Sequence, residues 1–268
     1  MGDIAETFRR DGVVLLRKAL SPGELAAAQA AYEWSLANPG PGASRIRQAT
    51  DATFFNDLYN PECLTGYRAM LEASSLPARV AEIWGRPDVW FMYEQVFLKE
   101  GGETRRTPWH QYSSYLAIGG PDLAVAWISF DPVAQEDALE FARGSHHGPL
   151  FNGSRFELGD DTAPLHPRST LPRLPDIEAD RGAWDIVSWA VEPGDVILFH
   201  PKVLHGGAAT RPGRRRRTLT LRFFGEAAVY EERDGGAGPP IPGFHQRMRE
   251  GEPFRDPAFL KLHPRAVC

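Results

Sequence analysis

Two strings in this 268-residue sequence place a histidine where a transition metal could be held. The first is Thr107-Pro108-Trp109-His110-Gln111-Tyr112. The second runs from Gly194-Asp195 through Val196-Ile197-Leu198-Phe199-His200 to Val203-Leu204-His205-Gly206-Gly207. Each sets a histidine at the end of, or just after, an apolar run that reads as a strand. Neutral imidazole is the commonest protein ligand for first-row transition metals. Two imidazoles on separate strands, facing one barrel mouth, would hold a metal on a rigid frame. Spacing alone does not decide this, because a lone histidine at a strand end more often serves structure. His146-His147 follows a Gly-Ser turn and could reach the mouth of such a site. His200 reads as a supporting residue at its strand end, and His166, His245 and His263 fall in polar irregular stretches.

The elements that must position these residues follow from local pattern. Ser21-Pro22-Gly23-Glu24 carries a Ser cap, a Pro at the first helical position and a Glu at the third. A run of helix formers follows it, and Gly12 to Leu16 reads as a short strand. A further helix is expected over Leu71 to Trp84. From about residue 88 the period becomes two. Strands are expected over Val89 to Leu98, Leu123 to Phe130, Trp184 to Val191, Val196 to His200 and Thr218 to Phe223. In the last of these, the threonines and Arg222 share one face and apolar residues the other. Turn signals separate the strands, among them Gly101-Gly102 and Gly119-Gly120-Pro121. Many short strands between Gly/Pro turns argue for a sandwich or barrel. Residues 149–183 are Pro-rich and polar, and read as a flap inserted between strands.

Composition removes several classes. Hydrophobic residues make up 42% and charged residues 24%, with a net charge of −5, as in an ordinary soluble globular protein. Cys63 and Cys268, the two cysteines, cannot build a disulfide framework or a four-cysteine zinc site. No apolar run reaches the roughly 18 residues of a membrane span, and the N-terminus lacks a signal-peptide pattern. The expectation is a cytoplasmic protein that binds neither membrane nor nucleic acid. Of the 30 basic residues only four are lysines, which reads as compositional bias.

In combination, the strings resemble the phytanoyl-CoA dioxygenase family, whose members include the ectoine hydroxylases. Asp11-Gly12-Val13-Val14-Leu15 is similar to its opening strand, and Thr107 to Gln111 to its first metal-binding string. Ala126-Trp127-Ile128-Ser129, then Ala138-Leu139-Glu140 and Gly144-Ser145-His146, resemble its central segment. The stretch from Gly194 to Gly206 resembles its distal histidine segment. The order holds over roughly residues 8–225. The resemblance implies a mainly β fold with flanking helices, built on a double-stranded β-helix (a cupin-like jelly roll). It implies a single domain over 1–268. Residues 1–87 would be a mostly helical part packed on the barrel, 88–225 the jelly-roll core, and 226–268 an irregular tail.

The resemblance also implies chemistry. His110 and His205 would ligate iron(II), with 2-oxoglutarate and O2 as co-substrates. Arg216, 11 positions after His205, would pair with the distal carboxylate of 2-oxoglutarate, since a planar guanidinium binds carboxylate bidentately. Arg217 is the alternative if the turn slips by one. Trp127, Ser129, Gln95 and Thr107 would line the co-substrate pocket. The substrate would be a small organic, lipid-like or secondary-metabolite molecule held near Gln95 and Tyr115 under the flap, and hydroxylated or otherwise oxidised at a C–H bond.

One position departs from the family. Its metal motif is His-x-Asp, and here it reads His110-Gln111-Tyr112. Three outcomes are open. The Tyr112 phenol could coordinate, although its ordinary pKa near 10 must then fall steeply. The ring could point away and leave two histidines. Or the site could be degenerate. Asp122, on a turn, is a poor substitute carboxylate. A catalytically impaired or non-catalytic member, through natural or engineered loss of the carboxylate, is therefore the alternative function; it would bind a small molecule or a partner. A different metal-dependent reaction on the same barrel is a third, against which the arginine at 216 argues.

Overall fold

The computed structural model describes residues 4–47, 53–100, 106–207, 210–236, 239 and 241–263. The Gly101-Gly102 turn, Pro240 and Cys268 lie outside the described residues. In chain order the first elements are α1 (Ile4–Asp11), β1 (Val13–Leu16), α2 (Pro22–Ala37), β2 (Ser44–Arg47), β3 (Thr53–Leu58), α3 (Cys63–Ala73) and α4 (Leu76–Trp84). The next are β4 (Val89–Glu100), β5 (Thr107–His110), β6 (Ile118–Gly119), β7 (Leu123–Ser129), β8 (Leu139–Ala142) and β9 (Ile186–Ser188). The last are β10 (Val196–Phe199), β11 (His205–Gly207), β12 (Arg216–Gly225), β13 (Val229–Tyr230), α5 (Phe244–Arg247) and β14 (Leu260–Leu262).

The capping signal at α2 is realised in full. Ser21 Oγ accepts from Glu24 N, and Glu24 Oε2 accepts from Ser21 N at 2.9 Å. The helix expected over Leu71 to Trp84 is instead two. Pro77 in a continuous helix would drive its ring against the carbonyl of Ala73, so α3 stops at Ala73 and α4 restarts with Pro77 in its first turn. The segment before residue 88 also carries more strand than expected. It supplies β1 at one edge of the large sheet and the β2–β3 hairpin at the other. The strand expected over Trp184 to Val191 shrinks to the three residues of β9.

The large antiparallel sheet runs β1-β10-β7-β12-β4-β3-β2, with β14 also paired to β4. The second runs β5-β11-β8-β9, and β13 pairs with β6. The two main sheets face one another across side chains such as Phe199 of β10 and Phe141 of β8, whose rings are 5.2 Å apart. This is the jelly roll that the sequence implied. On the outer face of the large sheet, Leu219, Leu221 and Phe223 of β12 join Val96, Ala126 and Leu198. There they meet Tyr32 of α2, Tyr67 and Leu71 of α3, and Val80 of α4. Alternation then forces Thr218, Thr220 and Arg222 of β12 inward, between the sheets. All three are buried.

The tail is less irregular than its composition implied. Phe244, Phe254 and Phe259 pack with Phe224 of β12, and Arg255 lies 3.9 Å over the Trp90 ring. Aromatic burial anchors this stretch where no periodicity marks it.

Glu94 of β4 points to the helix side and is 1% exposed. Its Oε1 accepts from Asn60 N at 3.0 Å, while Oε2 has no partner. Burial pushes this carboxyl up to about 7, and neighbouring Asp57 adds to the rise. The folded protein therefore holds a proton that the unfolded chain has released once pH exceeds its ordinary value of 4.5. Stability falls as pH climbs from there to about 7 and is flat above. Glu94→Gln keeps the shape and removes the charge. It should stabilise the protein at pH 8 by up to about 3 kcal/mol, with most of that advantage gone by pH 5. Urea unfolding at the two pH values measures the difference.

Candidate metal centre

The two histidines meet because β5 and β11 are neighbours in the second sheet, with His110 directly opposite His205. Directly opposite residues of an antiparallel pair share a face. The imidazole centroids are 4.3 Å apart, and both residues are buried. Nδ1 of His110 lies 2.9 Å from the carbonyl of Pro108, and Nδ1 of His205 lies 2.9 Å from that of Val203. A carbonyl only accepts, so each Nδ1 carries the proton and donates it. Each Nε2 keeps its lone pair, which is how backbone contacts usually orient metal-binding imidazoles. Nε2 of His205 is buried without a partner. Burial pulls His110 down to about 4 and His205 well below its ordinary value, with repulsion from His110 adding to the second shift. Both rings are neutral near pH 7, the state a metal requires.

Tyr112 opens the short turn Tyr112–Tyr115 after β5. Of the three outcomes open at this position, the ring does not turn away. It stands edge-on to both imidazoles, 5.2 Å from His110 and 4.5 Å from His205. Its face receives the guanidinium of Arg222, 4.4 Å from the ring centroid. Tyr93 covers the same guanidinium at 4.5 Å. Burial raises the Tyr112 phenol, and Arg222 only partly opposes this, so the hydroxyl is protonated at neutral pH. The donor set therefore fits a divalent metal through two imidazoles and supplies no anionic third donor. Among the described residues no three His, Cys, Asp or Glu side chains gather as a metal site. Asp122 is engaged elsewhere, accepting from Arg86 Nη1 and Ala227 N, both at 2.9 Å.

The inner face of β12 holds the other candidates. Arg216 lies opposite Lys99 of β4, and both are buried. Arg216 Nη1 donates to the carbonyl of Asp137 at 2.6 Å, and among the described residues no carboxylate forms an ion pair with Arg216 or Lys99. Burial brings Arg216 to about 10 and Lys99 to about 7, and Arg216 itself pushes Lys99 down. Arg217 projects the other way and binds Asp131 through Nε and Nη2, the latter at 3.0 Å. Strand parity thus sets Arg217 on the opposite side of β12 from Arg216. Gln95 and Trp127 flank Thr220 across the sheet, and Thr220 Oγ1 is buried with no partner. Gln95 Oε1 accepts from Arg222 Nη2 at 2.6 Å, and Gln95 Nε2 donates to Asn56 Oδ1. Ser129 of β7 lies opposite Thr218 and uses its hydroxyl locally. Oγ donates to the carbonyl of Asp131 at 2.7 Å and closes the turn after β7. Thr107 reaches the same side as Gly207 through a register shift between β5 and β11.

The flap is clipped over the imidazoles. Tyr115 OH donates to the carbonyl of Ser154 at 3.0 Å and accepts from Ser154 N at 2.9 Å. Gln111 Oε1 accepts from Phe151 N at 2.9 Å. Phe156 then sets its ring 5.4 Å from His110. Its φ of 55° lies in the left-handed region, a strained position for a bulky side chain. His146 and His200 do not join the imidazole pair. They line a separate cavity of about 440 Å³ beside Phe8 and Ile83, on the helix side.

Residues 8–218 match the family model for phytanoyl-CoA dioxygenase. The chain belongs to this family. The human peroxisomal phytanoyl-CoA dioxygenase is 24% identical over 152 residues, which is 54% of this chain and 42% of that protein. The match thus spans less than half of the curated relative. Among solved structures, the non-heme alpha ketoglutarate dependent carbocyclase SnoK from nogalamycin biosynthesis superposes with a TM-score of 0.68. It is 19% identical, with 98% of this chain and 96% of that one covered. The epimerase SnoN in complex with Fe3+, alpha ketoglutarate and nogalamycin RO gives 0.68 at 20% identity, covering 97% of each chain. EctD from S. alaskensis with 2-oxoglutarate and 5-hydroxyectoine gives 0.63 at 21%, covering 94% and 85%. These likenesses establish a shared jelly-roll fold. Among the described residues no helix is long and apolar enough to cross a membrane.

Lys99, Thr220 and Phe156 were not singled out from sequence. The first two had one usable signal, polar residues at alternating positions in otherwise apolar strands. Phe156 had none. The geometry at position 112 is testable through metal affinity. Cobalt(II) should bind the parent weakly, by visible absorption titration. His205→Ala should abolish binding, and Tyr112→Asp should tighten it by at least about tenfold, since an anionic oxygen replaces a neutral phenol.

Proposed function

We propose that this chain is a non-heme iron(II)- and 2-oxoglutarate-dependent oxygenase acting on a small organic molecule. One observation carries the reading. The two facing sheets bring together two neutral imidazoles with lone pairs to offer, on β5 and β11, and two buried cations on β12 and β4 that form no ion pair with a carboxylate among the described residues. His110 and His205 would hold the iron. Arg216 and Lys99 would receive the distal carboxylate of 2-oxoglutarate, whose charge answers theirs. Gln95, Trp127 and Thr220 would wall the space between, with Thr107 at its edge. Iron(II), when bound, supplies the oxidising chemistry, with O2 and 2-oxoglutarate consumed and succinate and CO2 released. The protein contributes orientation and exclusion of water, the latter through Phe156 and the flap.

A second reading is favoured by Tyr112. A protonated phenol beside a guanidinium is a poor substitute for an anionic ligand, so the chain could bind 2-oxoglutarate or a substrate without turning over. Anaerobic reconstitution with iron(II) and 2-oxoglutarate separates the two. The oxygenase reading expects the visible charge-transfer band of the chelate, then succinate on admitting air. Absence of both overturns it for this chain.

The co-substrate assignment has its own checks. Arg216→Ala should weaken 2-oxoglutarate binding by more than about tenfold, whereas exposed Arg214→Ala should change it less than twofold. Equal effects would remove Arg216 from this role. Binding should also move a proton. Lys99 in the free protein titrates near 7. A carboxylate beside it raises that value, so the protein takes up as much as one proton at about pH 8 and almost none below pH 6. Calorimetry in buffers of differing ionisation enthalpy reads this uptake directly.

A further inference from the structure

Arg222 lies deeper in the roll than the Arg216–Lys99 pair and against the imidazoles. It is 2% exposed. Nη2 donates to Gln95, but Nε and Nη1 are buried with no hydrogen-bond partner. Among the described residues it forms no ion pair, and Tyr93 and Tyr112 cover its two neighbouring directions with ring faces. Thr220 Oγ1, on the same inner face of β12, and His205 Nε2 are also unpartnered. A buried guanidinium with free N–H groups is costly unless an anion meets it. It follows Arg216 by six positions on the strand, so the two guanidinium groups begin from well-separated points.

We propose that Arg222 binds the carboxylate of the organic substrate, making this site specific for a carboxylic acid distinct from 2-oxoglutarate. The inference rests on reading the roll interior as a ligand chamber and adds the substrate's chemical class. One positive charge without a second cation beside it matches a monoanionic carboxylate better than a phosphate dianion. The planar guanidinium offers donors in its own plane, where a planar carboxylate approaches it. Nε and Nη1, the donors without a partner, are the groups such a carboxylate would meet. Half-buried Tyr112, and Phe156 at 40% exposure, mark the side from which such a ligand enters.

The test uses 4-fluorobenzoate as the probe, added to the full metal-free chain at pH 7 and followed by fluorine NMR. The parent should bind it, and the neutral 4-fluorobenzamide should bind at least tenfold more weakly. Arg222→Gln should lose at least tenfold in affinity, Arg222→Lys should retain part of it, and Arg216→Gln should remain within twofold. Thermal melts confirm that each variant is folded. If Arg222→Gln is unfolded, the Arg222→Lys and benzamide comparisons carry the test. No binding by the parent overturns the proposal, as does equal binding of the amide, or displacement by phosphate as effective as by benzoate. Full retention by Arg222→Gln overturns it too. A loss confined to Arg216→Gln would place the probe at the co-substrate end and overturn it. Loss in Arg222→Gln, with 2-oxoglutarate binding unaffected by Arg216→Ala, would uphold this proposal while sinking the co-substrate assignment.

Discussion

A strand between a helix layer and a second sheet must serve two interiors, and β12 does so by strict alternation. Leu219, Leu221 and Phe223 enter the helix-side core, while Arg216, Thr218, Thr220 and Arg222 enter the roll. Neither set can be changed without the other, because a one-residue slip would send guanidinium groups into the hydrophobic core. Pairing on both sides, with β4 and β7, fixes the register along most of the strand. The position of every polar group in the chamber follows from that register. Arg216 faces inward and Arg217 does not, for this reason alone.

The second sheet answers with a matching constraint. His110 and His205 lie directly opposite one another, and each backbone holds its own ring through a carbonyl two residues earlier. The tautomer is thereby set by local geometry and needs no side-chain partner. The flap adds no ligand of its own. It is tied down at Gln111 and Tyr115, the residues flanking Tyr112 at one and three positions, so the loop that carries the departure from the family motif also carries the lid.

Much of this was legible in the sequence. Period-two runs and Gly/Pro turns pointed to a sandwich or barrel, and the family resemblance made that a jelly roll. The same resemblance singled out His110, His205 and Arg216, which spacing alone did not. The polar face of β12 was also visible as alternation, but alternation does not say which face is wet. A polar stripe normally means solvent, and here it is buried between the two sheets. That inversion hid Lys99 and Thr220, which have meaning only once β4 and β12 are paired. The local use of the Ser129 hydroxyl was also invisible in sequence, since it depends on the turn that follows the strand. The packing of the tail was not legible because isolated phenylalanines among prolines give no period, although together they bury a cluster.

The exchange at position 112 and the orphaned Arg222 are two sides of one electrostatic arrangement. An aspartate at 112 would stand beside Arg222 and give that guanidinium its counter-charge within the protein. The phenol gives it only a neutral ring and hydroxyl, contacts worth less than an ion pair in a buried setting. The interior thus holds Arg216, Lys99 and Arg222 with no carboxylate among the described residues in an ion pair with any of them, and Lys99 answers by giving up its proton near pH 7. Such an excess is tolerable in a folded protein when hydrogen bonds and aromatic faces moderate it, as Gln95, Tyr93 and Tyr112 do here. It also sets what can enter, since each anion that binds relieves repulsion felt by the remaining cations. A neutral phenol at position 112 therefore leaves the charge of these buried cations to be answered by something other than that side chain.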